Sequence, residues 1–276
     1  MKSAALTFDA TLTRIDLSGL LPLFWLTLRQ HSHGRRLVVM AALFSLPAAL
    51  AGIVRYFNPS LPRDHLEMAL ILQVLPHTLV PLCALLYASG MIQDEIEEQT
   101  LTYLLIRPLP RWAIYVAKWL ATVLVVSLLA GVFTLVCYAA IYLGVVNSWD
   151  ERIATRALKT AATFALAVLA YCSFFGWLSL LVKRSLIVGA AYIILFEGVL
   201  ANIPFLSRSL TIMYYFRVLT EHWTGRTIRE WQIDLSDAPS AGTCVIVLAG
   251  VAVVTTALAA LWFTIREFRV KTPEGN

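Results

Sequence analysis

Residues 93–119, QDEIEEQTLTYLLIRPLPRWAIYVAKW, form a charged island between two long apolar stretches. Four carboxylates, Asp94, Glu95, Glu97 and Glu98, open it, and acidic side chains suit the positive N-terminal end of a helix dipole. Leu101, Leu104 and Leu105 follow at spacings of three and four, which predicts one apolar stripe on a short helix. Pro108 and Pro110 end that helix, because proline lacks the N–H and restricts the residue before it. Arg111 and Lys118 then alternate with Trp112, Tyr115 and Trp119, a basic and aromatic mix suited to a membrane–water interface. The pattern predicts a cytoplasmic elbow with one face free to dock a soluble protein.

Outward from the island, charge disappears for long distances. Gaps of 18, 26, 31, 23 and 28 residues without Asp, Glu, Lys or Arg follow Arg36, Glu67, Lys118, Lys159 and Asp237, and residues 185–207 hold only Glu197. A bilayer span needs about 20 mainly apolar residues. The expectation is therefore an all-α polytopic membrane protein with six transmembrane helices: Leu37–Phe57, Ala69–Met91, Trp112–Val146, Thr160–Val182, Leu186–Ile203 and Thr243–Ile265. Composition agrees: 59% of the 276 residues are apolar and only 14% charged, against about 25% charged in soluble domains, and the mean hydropathy is +0.74.

A net charge of +5 suggests nucleic acid in a soluble protein, but in a membrane protein it reflects the cytoplasmic excess of Lys and Arg. With both termini inside, cytoplasmic segments hold 13 of the 22 basic residues. The predicted location is a cell membrane, inner or plasma, with lipid as surroundings and no nucleic-acid partner. Cys83, Cys137, Cys172 and Cys244 all fall inside or at the edge of predicted spans, and their spacing matches neither a zinc site nor a disulfide framework, so they read as core packing. No cleavable signal peptide precedes the first apolar run.

Two segments flank the spans. Residues 1–36 read as a cytoplasmic N-terminal segment in which Ile15–Arg29, too short to span and anchored by Trp25, lies in the interface. His31 and His33, two residues apart, lack a third ligand for metal and read with Arg35 and Arg36 as a basic membrane flank. The transmembrane domain covers 37–276, with the elbow at 93–111 and an outer segment at 204–242. In span four, small residues such as Ala167, Ala170, Ser173 and Gly176 favour close helix contact.

No phosphate loop, dinucleotide fingerprint, zinc-protease helix or nucleophile elbow occurs. Catalytic residues, metal and cofactor are accordingly expected to be absent from this chain. Glu197 is the one acidic residue deep in a span, where a carboxylate costs a few kcal/mol and faces a bundle interior or wet cavity. It reads either as a group lining a translocation path or as a polar tie between spans. His77 and Gln73, four apart on one face of span two, are its candidate partners.

The island resembles the elbow between the first two core spans of ABC-2 type exporter permeases. The matching residues are Glu95 or Glu97, Thr100, Leu101, Leu104, Leu105, Pro108, Arg111 and Lys118, while Gln99 stands where that family usually has glycine. The resemblance implies that the elbow, with Arg107 in its basic flank, is the coupling element seated in a separate ATPase subunit. It also implies two ATPase copies that bind the ATP, a second permease copy, identical or homologous, and short half-inserted outer helices before the last span. The function expected is that of a permease subunit of an ATP-driven exporter. The alternative is an ATP-independent channel or polytopic membrane enzyme built on Glu197 and His77.

Overall fold

The computed structural model describes residues 19–97, 109–143, 151–199, 209–226 and 228–266. Its elements are α1 (Leu20–His33), α2 (Arg35–Phe57), α3 (Arg63–Glu97), α4 (Arg111–Tyr142), α5 (Glu151–Leu181), α6 (Ser185–Val199), α7 (Ile212–Thr224) and α8 (Ala241–Ile265), with a 3₁₀ turn at Arg229–Trp231. Among the described residues there is no strand.

Five helices, α2, α3, α4, α5 and α8, are long and apolar enough to cross a membrane. The chain is a multi-pass membrane protein. The fifth predicted span is described over Ser185–Val199 only, and residues 200–203 of it lie outside the described set. The helices run alternately up and down. Contacts at one end join Arg36 to Asp94, Arg111 to Thr264 and Gln93 to Lys183. Contacts at the other join Arg55 to Ala140 and Glu67 to Tyr138 and Arg156. We call these the basal and distal ends.

Helix boundaries depart from expectation where polar residues continue a helix. α3 runs 35 residues from Arg63 to Glu97, well past the predicted Ala69–Met91, since no proline interrupts it after Pro81. Its Glu67–Leu79 part is wound as a π-helix. Pro76 inside that part lacks an N–H, and local π winding is one way a membrane helix accommodates the loss. The stretch between the predicted spans Trp112–Val146 and Thr160–Val182 is helical from Glu151 onward. At 31 residues, α5 is about 46 Å long at 1.5 Å per residue. It therefore exceeds an apolar slab of about 30 Å, leaving Arg152, Arg156 and Lys159 beyond it.

Packing follows the apolar stripes. α2 buries only Met40, Phe44, Pro47 and Ala51, one face at spacings of three and four, with Phe44 against Phe133 of α4. α1 likewise buries Leu23 and Thr27 and lies along α4, while Trp25 stays 61% exposed. Pro22 falls in its first turn, where a missing N–H breaks no helical bond. α5 is the hub, packed against α3, α4, α7 and α8. Its Ala167, Ala170, Ser173 and Gly176 are buried within the chain. A Cβ on Gly176 would stand 2.7 Å from the Tyr115 hydroxyl of α4, so that close approach requires glycine. All four cysteines are free and buried.

Candidate coupling elbow and intramembrane polar groups

Asp94, Glu95 and Glu97 lie in the last turns of α3, not at the start of a new helix. Carboxylates oppose the negative C-terminal end of a helix dipole, so this placement needs cationic compensation. Two neighbours provide it. Arg36 grips Asp94 with both guanidinium nitrogens, at 2.5 and 3.0 Å. Lys118, 2% exposed, donates to Glu95 and, at 3.1 Å, to the Met91 carbonyl. Gly90 admits the Arg36 guanidinium across α3, because a Cβ there would meet Nη1 at 2.2 Å.

The adjoining helix ends are tied by donors to open carbonyls, the groups a helix C-terminus leaves without partners. Arg111 donates from α4 to Thr264 and Arg266 at 3.5 and 3.4 Å. Arg266 donates to the Leu180 carbonyl. Gln93 spans the α5–α6 turn, donating to Val182 and Lys183 at 3.2 and 3.1 Å and accepting from Ser185. His31 of α1 sits beside this cluster, its Nε2 3.0 Å from the Thr122 hydroxyl and its ring edge-on to Tyr87. Burial, with Lys118 and Arg36 adding, pushes its pKa down to about 4. Glu98, Thr100, Leu101, Leu104, Leu105, Arg107 and Pro108 lie outside the described residues.

Glu197, 1% exposed, sits in the π-wound end of α6. It accepts from the Tyr192 hydroxyl and from the backbone N–H of Met213, each at 3.1 Å. The carboxylate therefore caps the N-terminus of α7, where the helix dipole favours a negative group. The expected partners, Gln73 and His77, go elsewhere. The His77 Nδ1–H donates to the Gln73 carbonyl at 2.8 Å, which leaves Nε2 to accept from Arg217. The direct tie from Glu197 to span two is thus replaced by a tie to α7, because α7 brings unsatisfied amide donors to the carboxylate.

A third polar group is larger. Glu67, 1% exposed, accepts from Tyr142 at 2.5 Å, Tyr138 at 3.0 Å and both Arg156 and Arg226 at 3.2 Å. Arg226 also pairs with Asp64 at 2.7 Å.

The profile of the family described as ABC-2 family transporter protein matches residues 21–268, nearly the whole chain. The chain belongs to the ABC-2 family of transporter proteins. No curated protein matches it. This ABC-2 permease is therefore a membrane component of the ABC transporter type, a family that works with separate ABC ATPases. Two features of the permease were missed by sequence reasoning. In the sequence Glu67 marks only the start of a charge-free gap, and its partners Arg156 and Arg226 stand 89 and 159 residues away. Arg217 falls in the segment 204–242 expected outside, yet it is 4% exposed and bonded to His77 of α3.

Proposed function

We propose that this permease is the transmembrane subunit of an ATP-driven exporter in a cell membrane, with both termini cytoplasmic. Six spans from each of two permease chains, identical or homologous, surround the substrate path, and two ATPase subunits dock on the basal elbows. The observation that carries the coupling role is the anchoring on either side of residues 98–108. Asp94 and Glu95 are pinned by Arg36 and Lys118, and Arg111 is pinned to the end of α8. A segment held so firmly at both ends passes a push into α3, α4 and α8 together instead of absorbing it.

Within the elbow, Leu101 and Leu104 are the anchors, since apolar groups at the centre of a contact carry most of its energy. Glu97, exposed near the end of α3, acts with Glu98 at the rim and tunes association. Changing Leu101 and Leu104 together to Asp is expected to release the ATPase in a pull-down while the permease stays folded and inserted. Glu97→Gln with Glu98→Gln is expected to weaken binding mildly and in a salt-dependent way. An ATPase that still binds the leucine double variant normally would remove the elbow from the coupling role.

A further inference from the structure

The distal half of the bundle contains a cavity of about 350 Å³ that none of the ties above fills. One wall is the π-wound part of α3, through Gln73, His77 and Thr78; the other is Arg217 of α7 with Glu230 and Trp231 of the 3₁₀ turn. Wide helical turns are frequent at functional sites, and the volume lies within the range of small-molecule sites.

Its chemistry has two signs. Arg217 is 4% exposed and stacks over the Trp231 ring at 5.8 Å. His77 beside it accepts through Nε2, since its Nδ1–H is given to the Gln73 carbonyl. A ring nitrogen that accepts carries no proton, so this neighbour leaves the guanidinium charge in place. Trp231 is 4% exposed, and its indole Nε1–H has no acceptor among the described residues. An indole N–H can only donate, and a buried donor left unpaired costs about 1–3 kcal/mol. Arg217 and Trp231, which carry these two buried donors, both line the cavity, and both groups are suited to an anionic oxygen; guanidinium in particular matches phosphate and carboxylate. Glu230 is exposed and also lines the cavity. A carboxylate there disfavours a simple anion and suits a ligand that carries an ammonium next to its anionic group.

We propose that this cavity binds a zwitterionic head: a phosphate or carboxylate on Arg217 and Trp231 Nε1–H, with an ammonium facing Glu230. The same chemistry is offered by a membrane lipid headgroup and by a soluble amino-phosphate. As a substrate site the cavity rests on the transport role proposed above. As a binding site it does not, and binding is measured without ATP.

The test uses the full chain in nanodiscs of phosphatidylglycerol, which has no ammonium, with radiolabelled phosphoethanolamine as probe. Saturable binding is expected, weakened at least tenfold by Trp231→Phe. The exposed Glu230→Gln, which leaves the bundle intact, should remove the preference for phosphoethanolamine over inorganic phosphate. Doping the discs with phosphatidylethanolamine separates the sources: displacement of the probe supports the lipid headgroup, and undisturbed binding supports the soluble ligand. Absence of saturable binding, or inorganic phosphate binding as tightly as phosphoethanolamine to the unaltered chain, overturns the proposal. A leucine double variant that keeps its ATPase would overturn the coupling role while leaving this binding result standing.

Discussion

Glu67 illustrates how a buried charge becomes tolerable: four donors from α4, α5 and the segment after α7 converge on one carboxylate. Removing its charge leaves Arg156 without that counter-ion while Arg226 keeps Asp64. Glu67→Gln is expected to destabilise by about 1.5–3 kcal/mol, the range for hydrogen bonds to charged groups, because both arginines are partly exposed. Tyr138→Phe should cost about 1 kcal/mol; thermal unfolding in detergent measures both. Glu221 of α7 presents the opposite case. It is 1% exposed, accepts from the Ile228 N–H at 2.8 Å, and its other oxygen has no partner among the described residues. Burial pushes its pKa above the usual carboxylate range. Its stabilising contribution is therefore complete below the ordinary carboxylate pKa and is lost as pH rises through the raised folded value. Glu221→Gln keeps an acceptor for Ile228 without that penalty, so unfolding temperature at pH 7–8 should rise and the difference should vanish near pH 4. A variant no more stable than the parent at pH 8 contradicts the assignment.

Helices here are decided less by periodicity than by where charge stops. The five spanning helices were legible because a charge-free run of bilayer length has few alternatives, and α1 because one face of a short apolar segment must find a partner. The ends of α3 and α5 were not legible. Helical backbone continues through Asp94–Glu97 and through Glu151–Lys159 because tertiary partners, Arg36, Lys118 and Glu67, compensate charges that look like loop signals in sequence. The π-wound turns carry no composition of their own beyond Pro76. Close packing of α5 on α4 gives a sharper check. Gly176→Ala places a methyl 2.7 Å from the Tyr115 hydroxyl, and overpacking of this kind costs about 1–3 kcal/mol. Tyr115→Phe removes the oxygen, and the next Tyr115 atom is 3.9 Å away. Most of the loss should therefore disappear in the double variant, and additive effects would show that the two helices part instead.

For the molecule as a whole, the family was readable from about two dozen residues, and the profile match covers residues 21–268. The distal polar groups were not readable, since each is assembled from residues far apart in the chain. Topology remains the broadest expectation to test. With the four native cysteines buried, a cysteine introduced at Asp234 should react with an impermeant reagent from outside, and one at Glu98 should be spared; the reverse pattern inverts the molecule. The length of α3 adds a mechanical consequence. His77, on the cavity wall, and Asp94, clamped at the base, stand on one uninterrupted helix, about 25 Å apart at 1.5 Å per residue. The portion from Val80 to Glu97 is ordinary α-helix, and the portion from Glu67 to Leu79 is loosely coiled. The pair amounts to a stiff rod seated on a spring, so under the coupling role proposed above a thrust at the clamp would arrive first as compression or rotation of the coil beside the cavity.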